Sequence, residues 1–233
     1  MPGVAASLVA AAAVLAPLVA GPVDAPQLGA GWRVATLPRQ TKPVTRFVAE
    51  RVGERSAVRI DADESYGNLA FELPAVEAPR LLRWSWRLHV PNSATDLRRK
   101  AGDDTPAKVC LSFDLPLDQV PFGERTLLRL YRASAGENLP AATLCWVWGR
   151  TEARGVLIDS PYTRRVRYVV LRNAADNGDT WFDETRDIAA DFRRAFGDEA
   201  QTPPPLVAVL IGGDADNTHQ QTLAHVADLR FEP

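Results

Sequence analysis

Between Arg80 and Val90 the chain alternates without a break: Leu82, Trp84, Trp86 and Leu88 fall on one side of an extended backbone, and Arg83, Ser85, Arg87 and His89 on the other. A strict period of two over that length describes a strand and not a helix. One face is buried and the other meets solvent or a ligand. A chain that must hide two tryptophans and two leucines on one side of one strand needs a second layer to cover them.

Shorter runs of the same kind recur. Arg46 to Glu50, Ser56 to Asp61 and Asn68 to Leu73 are each bounded by Gly, Asp, Glu or Pro, at the spacing of an antiparallel sandwich. Strands follow at Ala107 to Phe113, Ala141 to Trp148, Gly155 to Ile158 and Arg164 to Arg172. Pro203-Pro204-Pro205 forces an extended entry into Leu206 to Ile211, and Leu223 to Phe231 closes the chain in period two. Two segments read as helices. In Phe122 to Ser134, Leu127, Leu130 and Tyr131 form a helical stripe; in Ile188 to Phe196, Ile188, Phe192 and Phe196 recur every four residues, with Asp187 as cap and Gly197 as stop. Gln27 to Arg39, punctuated by Gly and Pro, is expected along the surface. The 233 residues suit a mainly β chain: one antiparallel β-sandwich over 26–233 with one or two short helices.

The apolar run Val4 to Ala20 has no charge and ends near Val23-Asp24-Ala25, with small residues where export peptidases prefer them. Residues 1–25 therefore read as a signal peptide or membrane-proximal leader, although the first Lys or Arg is Arg33. An exported, periplasmic protein is the expectation. The formal charge of −2 gives no basic surplus for nucleic acid. Neither cysteine has zinc-site spacing, and alternation puts Cys110 and Cys145 opposite the bulky residues of their strands. If the strands are neighbours they form a disulfide in an oxidising compartment; otherwise they are two free thiols.

Chemistry gathers in two loops. Gly212-Gly213 is followed by Asp214, Asp216 and Asn217, hard oxygen donors suited to calcium or to a turn that bonds its own amides. Lys100, Asp103 and Asp104 precede a strand. Should the sandwich bring the loops together, four carboxylates would share one ammonium, and like charges gather only around something positive. Three readings follow: a latch in which Lys100 pairs Asp103 or Asp214, a calcium site, or a sugar-binding network. A glycosidase would need two of the acids facing across a cleft, and a lyase could use Lys100 as base. Trp181, after the turn-rich Asn177-Gly178-Asp179-Thr180, and Tyr162 are candidates for stacking on sugar rings, whereas Trp146 and Trp148 read as core. Arg83, Arg87, His89, Arg165 and Arg167 are read together as one sheet face, a solvated surface or a groove for an acidic polymer. His89, His219 and His225 join no Ser or Cys nucleophile, and Gly212-Gly213 lacks phosphate-loop spacing.

Five blocks carry a family resemblance: Lys100-Ala101-Gly102-Asp103-Asp104, Ala142-Thr143-Leu144 running into Trp146-Val147-Trp148, Pro161-Tyr162-Thr163 followed by Arg165, Arg186 to Gly197, and Asp214 to Thr218. In order and spacing they resemble the bacterial domain-of-unknown-function family 3047 over about Gly31 to Phe231. The resemblance implies an exported jelly-roll sandwich of the galactose-binding kind and is silent on activity. Gly213, His219 and His225 depart from its pattern. The expectation is a binding module for a glycan or cell-envelope polymer. The alternatives are a polysaccharide hydrolase or lyase using Lys100, Asp103, Asp104, Asp214 and Asp216, or a structural envelope protein.

Overall fold

The computed structural model describes residues 14–135, 139–176 and 178–232. Its strands are β1 (Val19–Ala20), β2 (Gln27–Leu28), β3 (Trp32–Ala35), β4 (Arg46–Val52), β5 (Arg55–Asp63), β6 (Asn68–Val76), β7 (Leu81–Val90), β8 (Lys108–Phe113), β9 (Ala142–Trp148), β10 (Leu157–Asp159), β11 (Val166–Arg172), β12 (Phe182–Asp187), β13 (Leu206–Gly212) and β14 (Gln221–Glu232). Two helices, α1 (Phe122–Ala135) and α2 (Ile188–Phe196), interrupt them. The strands make a seven-stranded sheet in the order β10-β11-β9-β8-β13-β6-β3, a five-stranded sheet β12-β7-β14-β5-β4, and the small ribbon β1-β2.

The sheets face each other because period-two alternation gives each an apolar inner side. Trp84 and Trp86 of β7 meet Trp146 and Trp148 of β9, with ring centroids 5.5 and 5.6 Å apart, and all four are fully buried. Buried indoles need partners for their N–H groups. Trp86 Nε1 donates to Glu184 at 3.0 Å and Trp146 Nε1 to Asp191 at 2.7 Å. Asp191 also accepts two bonds from Arg186, each 2.7 Å, which ties α2 to the core. Asp187 caps α2 by accepting from Ala190 N at 2.8 Å, and Phe192 packs on Phe113 at 4.9 Å.

Pairing between strands is antiparallel except for β9 with β11, which are parallel. The chain leaves β9, forms β10 at the sheet edge and turns back as β11 into the gap between them, so β11 runs with β9. Besides the short ribbon β1-β2, two strands lie where none is expected. Within Gln27 to Arg39, β3 pairs with β6 and buries Trp32 against Phe71. The polar β12 pairs with β7 as an edge strand, where one-sided exposure permits its charges.

The outer side of the seven-stranded sheet carries a second, smaller core of Leu97, Cys110, Cys145, Val147, Ile158 and Val170. Cys110 and Cys145 are directly opposite in the β8/β9 register and form a disulfide. The grouping of Arg165 and Arg167 with Arg83, Arg87 and His89 is corrected here. Arg83, Arg87 and His89 belong to the five-stranded sheet, whereas Arg165 and Arg167 are buried at the seven-stranded one under the end of α2. There Arg165 donates to Glu199 at 2.5 and 2.8 Å and to Glu124 at 2.6 Å, and Arg167 also pairs with Glu199.

Residues 1–13 of the expected leader lie outside the described residues, but its later part packs on the sandwich. Leu18 is buried in the main core, Trp32 Nε1 donates to Ala16 O at 3.1 Å, and Gly29 N donates to Leu18 O at 2.9 Å. Gly29 is required at this crossing, since a Cβ there would stand 1.7 Å from Pro17 O. Leu18→Ala should therefore cost about 3 kcal/mol, lowering the melting midpoint by roughly 6–12 °C for a domain of this size. An unchanged midpoint in the full chain would show that this segment is not part of the folded unit.

Candidate functional site

The strand β13 ends in Gly212-Gly213 because its surroundings leave no room for side chains. A Cβ on Gly212 would lie 2.5 Å from Asn68 Oδ1 and 2.9 Å from Lys108 Cε, and one on Gly213 2.6 Å from Pro106 O. The Lys108 side chain uses that space to reach Asp214. Its Nζ lies 2.5 Å from Asp214 Oδ2, while Thr105 N donates to Asp214 Oδ1 at 2.7 Å. Both partners of this ion pair are buried.

The rest of the turn is fastened by Asp104, which is fully buried. Its Oδ2 accepts from Thr218 N at 2.7 Å and Thr218 Oγ1 at 2.6 Å, and its Oδ1 from Asn217 Nδ2 at 3.0 Å. The two acidic loops anticipated from sequence do meet. Their one deeply buried ammonium is Lys108, the first residue of β8; Lys100 instead holds its Nζ over the Tyr162 ring, 5.2 Å from the centroid.

Asp103 stands apart from these pairings. It is only 8% exposed; its Oδ2 accepts from Ser160 Oγ at 3.0 Å and Tyr168 OH at 3.3 Å, and its Oδ1 is buried with no hydrogen-bond partner. Burial, reinforced by the charge of Asp214, pushes its carboxyl up to about 7. Burial also raises Asp216, helped by Asp104 and Asp214. For Lys108, burial alone would favour the neutral amine, but the adjacent Asp214 outweighs it and the ammonium is held above its ordinary range. Crowding of like charge is thus relieved in three ways: by Lys108, by the donors around Asp104, and by a proton on Asp103 near neutrality.

Above the buried acids lies an exposed rim. Tyr162 is 54% exposed, with its hydroxyl 2.7 Å from Asn217 Oδ1 and 3.3 Å from Lys100 O. Asp216 is partly exposed, and its carbonyl accepts from Lys42 Nζ at 3.2 Å. For calcium, Asp214, Asp216 and Asn217 would have to converge. Asp214 is turned to Lys108 and Thr105, and Asn217 to Asp104 and Tyr162. Among the described residues no group of three or more His, Cys, Asp or Glu is arranged to hold a metal ion.

Trp181 is not at this site. It lies on the outer face of the five-stranded sheet, with the Arg55 guanidinium 5.2 Å from its ring and His225 at 6.4 Å. The histidines are dispersed: His225 bonds Glu50 at 2.7 Å, His219 bonds Glu64 at 2.9 Å, and His89 bonds Asp179 at 3.1 Å. Lys108, Thr105, Ser160 and Tyr168 escape a reading of the loops alone. Alternation in β8 does put Lys108 on the same side as Cys110 and Ser112, opposite the bulky residues, and that is the signal for it. Two shallow depressions, one at Arg98 and Asp159 and the other at Arg55, Arg83 and Asp183, are not lined by the buried acids.

The model of a family described as a protein of unknown function, DUF3047, matches residues 30–230. No curated protein matches the chain by sequence. Among solved structures, the chain is similar to endoglucanase 3 from family GH12 of Trichoderma harzianum, with a TM-score of 0.46, 7% identity and 97% of each chain covered. It is also similar to the xyloglucanase domain of NopAA, a type three effector from Sinorhizobium fredii, in complex with cellobiose. There the TM-score is 0.41 at 8% identity, over 87% of this chain and 99% of that one. For a cellulase derived from Cel12A of Rhodothermus marinus the score is 0.34 at 12% identity, over 86% and 95%.

The Asp103 carboxyl has a measurable consequence. Unfolded, it loses its proton near 3.8; folded, near 7. Between those values the folded state holds a proton that the unfolded state lacks, so stability falls as pH rises across the window. The fall is up to ~4 kcal/mol for this one group. Asp103→Asn stays neutral and should lose that slope: in chemical unfolding it should match the native chain near the acid end of the window and exceed it by a few kcal/mol above neutrality. An unchanged slope would place the titration elsewhere.

Proposed function

The chain belongs to the DUF3047 family of proteins of unknown function, and we propose that it is a binding module, a jelly-roll of the galactose-binding kind, for a glycan or cell-envelope polymer. The ligand lies on the rim at Tyr162. The observation that carries this reading is the Tyr162 ring: it is more than half exposed, yet fixed through its hydroxyl to Asn217, with the Lys100 ammonium over one face and the other left for a ligand. A planar ring held in place at low entropy cost is suited to stacking against the apolar face of a pyranose. Lys100, Asp216 and Asn217 surround it with one cation and several oxygen and nitrogen groups for ligand hydroxyls. Asp103, Asp104 and Asp214 lie beneath and hold this rim without touching the ligand. The Cys110–Cys145 disulfide supports an oxidising compartment, in keeping with export to the periplasm.

The second reading is an enzyme acting on such a polymer, and Asp103 is what favours it. A buried carboxyl with one unpartnered oxygen and a proton near neutrality has the properties of a general acid. Hydrolysis would also require a second carboxylate across a cleft. Asp104 and Asp214 already have their oxygens engaged by protein donors, which leaves Asp216 as the candidate for that second group.

The test is affinity electrophoresis of the full chain through gels containing neutral or acidic polysaccharides. At least one polymer should retard it, and Tyr162→Ala should weaken that binding about tenfold, the loss expected for one stacking contact, with the melting midpoint essentially unchanged. If no polymer retards the protein, or Tyr162→Ala binds like the native chain, the reading is wrong. Release of reducing ends that Asp103→Asn abolishes would establish the enzyme instead.

A further inference from the structure

Among the described side chains of α1, one is buried in the core. Leu128 is buried, while Phe122, Leu127, Leu130 and Tyr131 are 77, 56, 63 and 62% exposed. Leu127, Leu130 and Tyr131 are spaced i, i+3 and i+4 and so form one exposed stripe beside the position at which Leu128 enters the core. Isolated exposed leucines are ordinary, but four large apolar side chains gathered on one 14-residue helix are not.

The charge on this helix is equally one-sided. It carries Arg125, Arg129 and Arg132 against a single acid, Glu124, on a chain whose formal charge is −2. Glu124 is already neutralised by Arg165 at 2.6 Å. None of the three arginines pairs with a carboxylate among the described residues: Arg125 lies over the Phe122 ring at 5.7 Å, Arg132 donates to the Leu139 carbonyl at 2.8 and 2.5 Å, and Arg129 is exposed. The helix thus offers an apolar stripe and uncompensated positive charge together.

We propose that α1 docks on an anionic lipid surface, with Phe122, Leu127, Leu130 and Tyr131 entering the boundary between headgroups and acyl chains while Arg125 and Arg129 attract the lipid phosphates. This combination of an apolar stripe and basic residues characterises helices that lie in a membrane plane. The helix lies on the bilayer and does not cross it; among the described residues no helix is long and apolar enough to span a membrane. A second copy of the chain is a poorer occupant, since a two-fold contact would set the same arginines against each other. The residues invoked are not those of the Tyr162 rim, so the inference does not rest on the glycan reading.

The experiment is co-sedimentation of the full chain with vesicles of phosphatidylcholine containing phosphatidylglycerol, against phosphatidylcholine alone. Binding should need the anionic lipid and weaken with salt. The double variant Arg125→Gln/Arg129→Gln should bind roughly thirtyfold more weakly, on the scale of about fivefold per basic residue at an anionic surface. Leu127→Ser/Leu130→Ser should lose at least about tenfold through lost apolar burial. None of the four side chains is buried in the core, so unfolding midpoints should not move, and circular dichroism should confirm the fold. Three results would overturn the proposal: no vesicle binding, binding that both variants retain in full through some other part of the chain, or concentration-dependent self-association that the leucine variant abolishes.

Discussion

The contact on which the loop end depends is the buried pair of Lys108 and Asp214. A carboxylate and an ammonium removed from water are costly separately and tolerable together, so each fixes the position of the other. Their positions matter because Asp214 begins the connection by which the chain passes from β13 in the seven-stranded sheet to β14 in the five-stranded one. Lys108 starts β8, which pairs with β13. One ion pair therefore joins the crossing segment to the sheet it has just left, and the two glycines before Asp214 are what allow the lysine stem to pass. Asp104 then fastens Asn217 and Thr218, and Asn217 in turn fixes Tyr162. The exposed ring inherits its order from charges buried below it.

Much of this end of the molecule is legible in the sequence and some is not, for a consistent reason. Alternation in Arg80 to Val90 gives the inner face and its tryptophans, and the Asp187 cap with Ile188, Phe192 and Phe196 gives α2 with its ends, because those signals are local. The meeting of the two acidic loops is conditional on topology, and topology is what makes the cation Lys108 and not Lys100. A lysine at the start of a strand looks like a solvated strand end until the neighbouring strand turns out to end in glycines. The same holds for Arg165 and Arg167, whose alternation is that of an outward face. Only the packing of the end of α2, with Glu199, makes that face an interior. The strand β12 is missed because an edge strand can be polar, and β11 is taken as antiparallel because nothing within it records that β10 takes the edge.

The disulfide belongs to the same argument. Cys110 and Cys145 point away from the main core, where alternation would place solvent, yet both are buried. The loop between β7 and β8 folds back over that face, bringing Leu97 down onto the cysteines, Val147 and Val170. Residues 91–107 thus have two tasks. They roof the small outer core, and their last turn carries Asp103, Asp104 and Thr105 to the ion pair. A covalent bond between the strands directly beneath supplies a rigid floor for both.

Asp103 is where recognition and chemistry would part. A general acid must come within hydrogen-bond reach of the atom it protonates, and this carboxyl lies behind Ser160 and Tyr168, almost wholly out of solvent. Between a ligand stacked on Tyr162 and the buried Asp104 stands Asn217, whose amide is already divided between Asp104 and the tyrosine hydroxyl. Its proton therefore serves first to lower the charge that Asp214, Asp104 and Asp216 would otherwise impose on one another. A catalytic role would require the loop bearing Ser160 and Tyr162 to withdraw and uncover the unpartnered oxygen, at the expense of the contacts that hold the Tyr162 ring in place. Binding at Tyr162 and proton transfer from Asp103 would thus be competing uses of a single loop.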